Sequence, residues 1–121
     1  MDSKAVIQQY ENINPMVTLN VGDIKVNYAV PTTHTLWRVE SLHQKEPDTI
    51  AWIAGFAPTD ILVDIGANVG MYTIWAAKTR GTTVYAFEPE SQNYALLNRN
   101  IFLNELGGKV HAYCVALSDT I

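Results

Sequence analysis

Positive charge is scarce in this chain. Eight Lys and Arg stand against twelve Asp and Glu, a formal charge of −4. No basic cluster offsets that balance, which disfavours a nucleic-acid footprint. Cysteine is nearly missing: Cys114 stands alone. An internal disulfide is thereby excluded, and a reducing cytoplasm is the expected compartment. No apolar run approaches membrane-spanning length, and the opening Met1-Asp2-Ser3-Lys4 lacks the apolar core of a signal peptide. Internal repeats and low-complexity segments are lacking too. The three histidines, His34, His43 and His111, are scattered without metal-ligand spacing, so no metal and no histidine catalyst is assigned. What remains is a chain of 121 residues, 48% hydrophobic and 17% charged. That suffices for one globular domain with a modest core.

Its centre is Ile61-Leu62-Val63-Asp64-Ile65-Gly66-Ala67-Asn68-Val69-Gly70. An apolar run of strand type, broken only by Asp64, gives way to two glycines and then to a helix-like segment from Met71 to Thr79. Strand, glycine turn and helix in that order begin a nucleotide-binding βαβ unit. Gly66 and Gly70 can adopt positive φ and let a ligand approach the backbone. The first amides of the following helix favour an anionic group in the same space. Glycines in this arrangement also serve packing alone, but a second element supports a site. Thr83-Val84-Tyr85-Ala86-Phe87 ends in Glu88-Pro89, and Glu88 lies 24 residues after Asp64. An acidic residue at the tip of the second strand is where such folds hold the two hydroxyls of a ribose. A carboxylate accepts two hydrogen bonds at once.

The remaining segments frame this unit. Residues 1 to about 15 read as a short helix or arm. Val17 to Val21 and Ile24 to Val30 alternate as strands around Gly22-Asp23, a hairpin with glycine first in the turn. Thr32 or Thr33 caps a helix over about Leu36 to His43. Pro47 opens another, with Ile50, Ile53 and Ala54 on one face, running to about Phe56. Gly81 closes the first crossover helix. Ser91 caps the second, in which Tyr94, Leu97 and Ile101 share a face, and Gly107-Gly108 ends it. A third strand is expected from about Val110 to Ala116, with Cys114 as a small core residue. Trp37, Trp52 and Trp75, with Tyr72 and Tyr94, are assigned to packing.

The expected fold is therefore α/β. Residues 1–57 form an arm, hairpin and helical lead-in, and residues 58–121 form the first half of a Rossmann-like sheet. The strand that flanks the first one at the switch point does not occur before residue 121, so the chain is expected to be the N-terminal part of a longer protein. Either the hairpin covers the open edge, or the edge pairs with another chain, giving a homo-oligomer.

Two cofactor classes use this layout. A dinucleotide needs Gly-x-Gly-x-x-Gly, and counting from Gly66 this chain has Asn68 and Met71 where glycines are required. The alternative, acidic-x-Gly-x-x-x-Gly, is met by Asp64, Gly66 and Gly70. An oxidoreductase-type NAD(P) domain and a non-catalytic nucleotide-binding or interaction module remain the competing readings.

Four motifs fall in one order: Val63-Asp64-Ile65-Gly66-Ala67-Asn68-Val69-Gly70, Ala86-Phe87-Glu88-Pro89, Asn98-Arg99-Asn100-Ile101 with Asn104, and Ala116-Leu117-Ser118-Asp119. Together they resemble the FkbM family of S-adenosylmethionine-dependent methyltransferases over about Leu62 to Asp119. Lys45-Glu46-Pro47 with Trp52-Ile53 resembles, more weakly, the segment that precedes the core in some relatives. The resemblance implies a Rossmann-like class I methyltransferase fold, S-adenosyl-L-methionine as cofactor, and methyl transfer to an oxygen of a small molecule or glycan. It also implies roles. Asp64, Gly66, Asn68 and Gly70 surround the methionine part of the cofactor. Glu88 takes the ribose hydroxyls, while Leu117 and Ser118 lie against adenine and Asp119 meets its exocyclic amine. Thr73 is a further candidate near the loop. The bland alternatives are a helix cap for Asp64, a solvated strand end for Glu88 and a turn residue for Asp119. No catalytic base is assigned; it is expected beyond residue 121, so the chain alone is expected to show no turnover.

Overall fold

A computed structural model describes residues 2–120. The first helix, α1 (Ser3–Ile13), is capped by Asp2, whose carboxylate accepts the Lys4 N–H at 3.1 Å, and none of its residues is buried. The hairpin forms as expected. β1 (Met16–Val21) and β2 (Ile24–Ala29) pair antiparallel with Val21 opposite Ile24, and Gly22 turns at φ 58°.

The lead-in differs from the expected single helix over 36–43. Thr32 and Thr35 cap each other reciprocally to start α2 (Thr33–Glu40), which stops at Ser41. The Ser41 hydroxyl donates to the Trp37 carbonyl at 2.7 Å, one of the local bonds by which serine competes with the helix ladder. A separate turn, α3 (Leu42–Lys45), follows. Pro47 then stands at the first position of α4 (Pro47–Ala54), which ends before Phe56. Ile53 is buried and Ile50 half-buried, but Ala54 is exposed. Phe56 folds back into the core from beyond the helix end.

The second half follows the βαβ pattern. β3 (Ile61–Ile65), α5 (Met71–Arg80), β4 (Thr83–Phe87), α6 (Ser91–Leu103) and β5 (Val110–Tyr113) build a parallel sheet in the order β3-β4-β5. Gly81 ends α5 in the left-handed region, as expected. Glu90, not Ser91, caps α6: its carboxylate accepts the Asn93 N–H at 2.8 Å. β5 is shorter than the expected span to Ala116. On the side of β4 that faces β5, the Glu88 N–H still donates to the Tyr113 carbonyl at 3.0 Å, but the next donor, the Glu90 N–H, turns to the Glu88 carboxylate, so pairing ends at Phe87–Tyr113. Cys114 is therefore exposed at the strand end, its Sγ 3.8 Å from the Pro89 carbonyl, rather than a core residue.

One hydrophobic cluster joins both segments, from Val26 and Tyr28 through Leu42 and Ile53 to Ile74, Val84, Leu97 and Val110. The hairpin does not cover the free edge of β3. It packs instead on α5 and α6, fastened by side-chain amides. Asn104 accepts the Asn27 N–H and returns an N–H to the Asn27 carbonyl, both at 2.7 Å. Asn100 accepts the Ala29 N–H at 2.8 Å. The spacing explains the pair. Residues one helical turn apart rise about 6 Å, and alternate strand residues about 6.7 Å, so two amides on α6 meet two outward N–H groups of β2. An edge that would otherwise solicit another strand is thereby closed.

The sheet is covered on one face only. Leu62, Val84, Ala86 and Val110 are buried against the helices. On the other face Ile61, Val63 and Ile65 are 64%, 54% and 64% exposed, beside the stacked pairs Tyr85–His111 and Phe87–Tyr113. Trp75 is core, as expected, whereas Trp37 and Trp52 are more than half exposed. Trp52 stands edge-on to Phe56, and Trp37 carries the Lys45 ammonium.

Asn100 is 1% exposed, and its amide also donates to the Val69 carbonyl at 2.8 Å. Asn100→Ala leaves two buried backbone groups without partners and is expected to cost about 2–5 kcal/mol. Chemical denaturation checks this. A loss below about 1 kcal/mol would show that the hairpin and the loop are held by other contacts.

Candidate functional site

The glycine loop between β3 and α5 is built on positive φ. Gly66, Asn68 and Gly70 stand at 78°, 55° and 89°. The glycines serve different ends. A Cβ on Gly66 would meet nothing within 4 Å, so that position answers to backbone conformation and open space. A Cβ on Gly70 would lie 2.4 Å from Leu97 Cδ1, so Gly70 also lets α6 close on the loop.

Three anchors from the neighbouring unit fix the loop. The Phe87 carbonyl accepts the N–H groups of Gly66 and Ala67 at 2.8 and 3.0 Å. Glu88 Oε1 accepts the Asn68 N–H at 2.8 Å, while its Oε2 accepts the Glu90 N–H at 3.0 Å. Asn100 holds the Val69 carbonyl. Glu88 is 5% exposed, so it is no solvated strand end. It joins the tip of β4 to the loop after β3.

Asp64 does not cap the helix. The N-cap of α5 is Gly70, and no side chain accepts the first N–H groups. Asp64 Oδ2 instead accepts the Thr73 hydroxyl at 2.5 Å, and Thr73 is fully buried. Burial pushes the Asp64 carboxyl above its ordinary value, the Thr73 bond pulls it back, and the nearby Glu88 charge raises it further. Thr73 thus positions Asp64 by a hydrogen bond within the core and, being fully buried, is not the further ligand contact expected near the loop.

A cavity of about 360 Å³ opens over this loop. Asp64, Gly66, Asn68, Met71 and Tyr72 form one wall, and Arg38, Lys45, Glu46 and Thr49 of the lead-in form the other. Asp64 and the first residues of α5, Met71 and Tyr72, whose helix has no side-chain cap, line it together. Burial, then a hydrogen bond from Tyr72 to Glu46, pushes the Tyr72 hydroxyl up to about 12. Arg38, Lys45, Glu46 and Tyr72 were not assigned to a site from the sequence; the weak Lys45-Glu46-Pro47 resemblance was the only signal for them.

Leu117, Ser118 and Asp119 lie on the exposed irregular segment after β5. Ser118 bonds locally with Thr120, its Oγ 2.9 Å from the Thr120 hydroxyl. None of the three lines the cavity.

This parallel sheet, with the site at the carboxyl ends of β3 and β4, is a Rossmann-like fold of the class I methyltransferase type. Solved structures define the class. TYW2 from P. horikoshii, in complex with MeSAdo, superposes with a TM-score of 0.61 at 18% identity, over 89% of this chain and 39% of that one. Geranyl diphosphate C-methyltransferase from Streptomyces coelicolor A3(2), with Mg²⁺, geranyl diphosphate and S-adenosyl-L-homocysteine, gives 0.54 at 22% identity, over 74% and 36%.

Sequence relatives narrow the likeness and bear out the resemblance read from the motifs. The chain is 37% identical over 60 residues to the 31-O-demethyl-FK506 methyltransferase FkbM of Streptomyces tacrolimicus. It is 33% identical over 57 residues to Methyltransferase 1 of Beauveria bassiana. These matches span 49% and 46% of this chain but 23% of each relative. No family model matches the sequence.

The raised Asp64 pKa has a stability consequence. The folded state binds the proton more tightly than the unfolded one, so Asp64's contribution to stability falls as pH rises through the interval between the two values. Asp64→Asn keeps an acceptor for Thr73 and removes the charge. It is expected to raise the thermal midpoint at pH 7 relative to wild type and to lose that advantage below the unfolded carboxylate value. An unchanged or lower midpoint at pH 7 would show that the carboxylate is not held at a cost.

Proposed function

We propose that this chain is the cofactor-binding half of an S-adenosylmethionine-dependent methyltransferase that methylates an oxygen of a small molecule or glycan. The observation that carries this reading is the Asp64-Gly66-Gly70 loop held by Glu88 beneath a cavity of about 360 Å³. In it Asp64 attracts the ammonium of the methionine end, and Gly66, Asn68 and Gly70 shape the loop around it. The free amides of α5 favour its carboxylate. Each Glu88 oxygen already accepts one N–H and retains acceptor capacity for a ribose hydroxyl. Leu117 and Ser118 would close on adenine and Asp119 on its amine; as they stand outside the cavity, this assigns them to a segment that packs on ligand.

Residues 1–57 act as lead-in and residues 58–121 as the cofactor half. Bound there, S-adenosylmethionine would supply an electrophilic sulfonium methyl, and the part of this chain would be to hold and orient it. No helix of the described residues is long and apolar enough to cross a membrane, and the cytoplasm is the compartment proposed. Support for a small-molecule acceptor comes from the S. coelicolor neighbour, whose complex holds geranyl diphosphate.

Calorimetric titration with S-adenosylhomocysteine tests the cofactor. Saturable binding is expected, weakened by about 1–3 kcal/mol in Glu88→Ala, with NADH binding more weakly than the homocysteine nucleoside. Preference for NADH would favour an oxidoreductase domain. Binding of neither would favour a non-catalytic module.

The bare edge of β3 supports self-association as part of the same proposal. Light scattering over a hundredfold concentration range should show mass rising toward a dimer; a constant monomer mass rejects it.

A further inference from the structure

The cavity has walls of opposite character that the loop alone does not explain. Asp64 and Glu46 supply carboxylates, and Arg38 and Lys45 supply cations, around one space. Arg38 is positioned from its own helix: its Nε–H donates to His34 Nε2 at 3.2 Å, one helical turn back. Among the described residues its Nη groups make no hydrogen bond. A guanidinium offers paired donors that match the two oxygens of a carboxylate. Lys45 sits with its ammonium 5.6 Å from the centre of the exposed Trp37 ring, which holds the stem near the cavity without neutralising the charge. Glu46 of the lead-in and Tyr72 of α5 line the same cavity from opposite walls.

We propose that Arg38 and Lys45 form a carboxylate clamp and that the cavity is built for a zwitterionic α-amino acid group. The ligand carboxylate lies against Arg38 and Lys45, and its ammonium against Asp64. This rests on the cofactor reading above and extends it: the amino-acid end of the ligand is gripped from α2 and α3, not from the glycine loop alone. A pyrophosphate would find Asp64 and Glu46 repulsive there, so the same charges discriminate against a dinucleotide.

The test compares two nucleosides on the full chain. S-adenosylhomocysteine carries the amino-acid group, and 5′-methylthioadenosine lacks it. Arg38→Gln is expected to weaken S-adenosylhomocysteine by about tenfold or more, the range for a lost charged hydrogen bond, and to change 5′-methylthioadenosine less than twofold. Lys45→Gln should act in the same direction with a smaller factor, since Lys lacks the fork. Thermal midpoints within a few degrees of wild type establish that the variants fold. An equal loss for both nucleosides, or no loss for either, overturns the clamp while leaving the cofactor reading intact. Binding of neither nucleoside to wild type overturns both.

Discussion

Asn100 is the constraint on which the other parts depend. It is a polar side chain with almost no exposure, and both ends of its amide are used: oxygen to the Ala29 N–H, nitrogen to the Val69 carbonyl. A buried amide is costly unless fully bonded, and here the bonds reach two segments that do not touch each other in sequence. The hairpin and the glycine loop are therefore positioned by the same residue on α6. Asn104, one turn on, repeats the device on β2 and also donates to the Asn100 carbonyl at 2.7 Å. The loop's remaining freedom is removed by Phe87 and Glu88. A loop with three residues at positive φ would otherwise sample many conformations, and ordering it only on binding would subtract from affinity.

The electrostatics work in the opposite sense. Asp64 is placed under the loop at a cost, beside Glu88 and away from water. Thr73 compensates part of it. The uncapped amides of α5 add favourable potential without saturating the carboxylate. A group held this way suits the ammonium-binding role proposed for it. Structural carboxylates seldom need such an arrangement, and perturbed ones collect at functional sites.

The βαβ unit was legible because its signals are local. An apolar run, two glycines and an acidic strand tip each report a backbone requirement that a single sequence displays. What the sequence could not display was set by tertiary contact. Asn98-Arg99-Asn100-Ile101 stood out as a motif, yet its task, matching a helix turn to a strand step on β2, depends on where the hairpin docks. The hairpin itself was readable from alternation and Gly22, but its destination on α5 and α6 was not. Ser41 divides a helix that periodicity alone continues, because one hydroxyl bond to Trp37 outweighs a weak propensity. Cys114 was expected inside a strand running to Ala116, and what shortens that strand lies on a different one: the Glu90 N–H turns to the Glu88 carboxylate instead of to β5. Trp37 and Trp52 were assigned to the core by type. Their exposure follows from the lead-in forming one wall of a cavity instead of a layer of the core.

That wall changes how the two segments relate. A three-stranded sheet with one uncovered face and two free edges offers little apolar area for orienting a lead-in. Leu42 and Ile53 nevertheless join the main cluster, so α3 and α4 are seated by burial, and the charged side chains between them are carried to the loop as a consequence. Packing sets the position and charge sets the use. Arg38 is half-buried and Lys45 and Glu46 are exposed, so these charges line the space that Asp64 faces at little desolvation cost. Their convergence on the cavity that the glycine loop also lines is the observation from which the lead-in is proposed as part of the site.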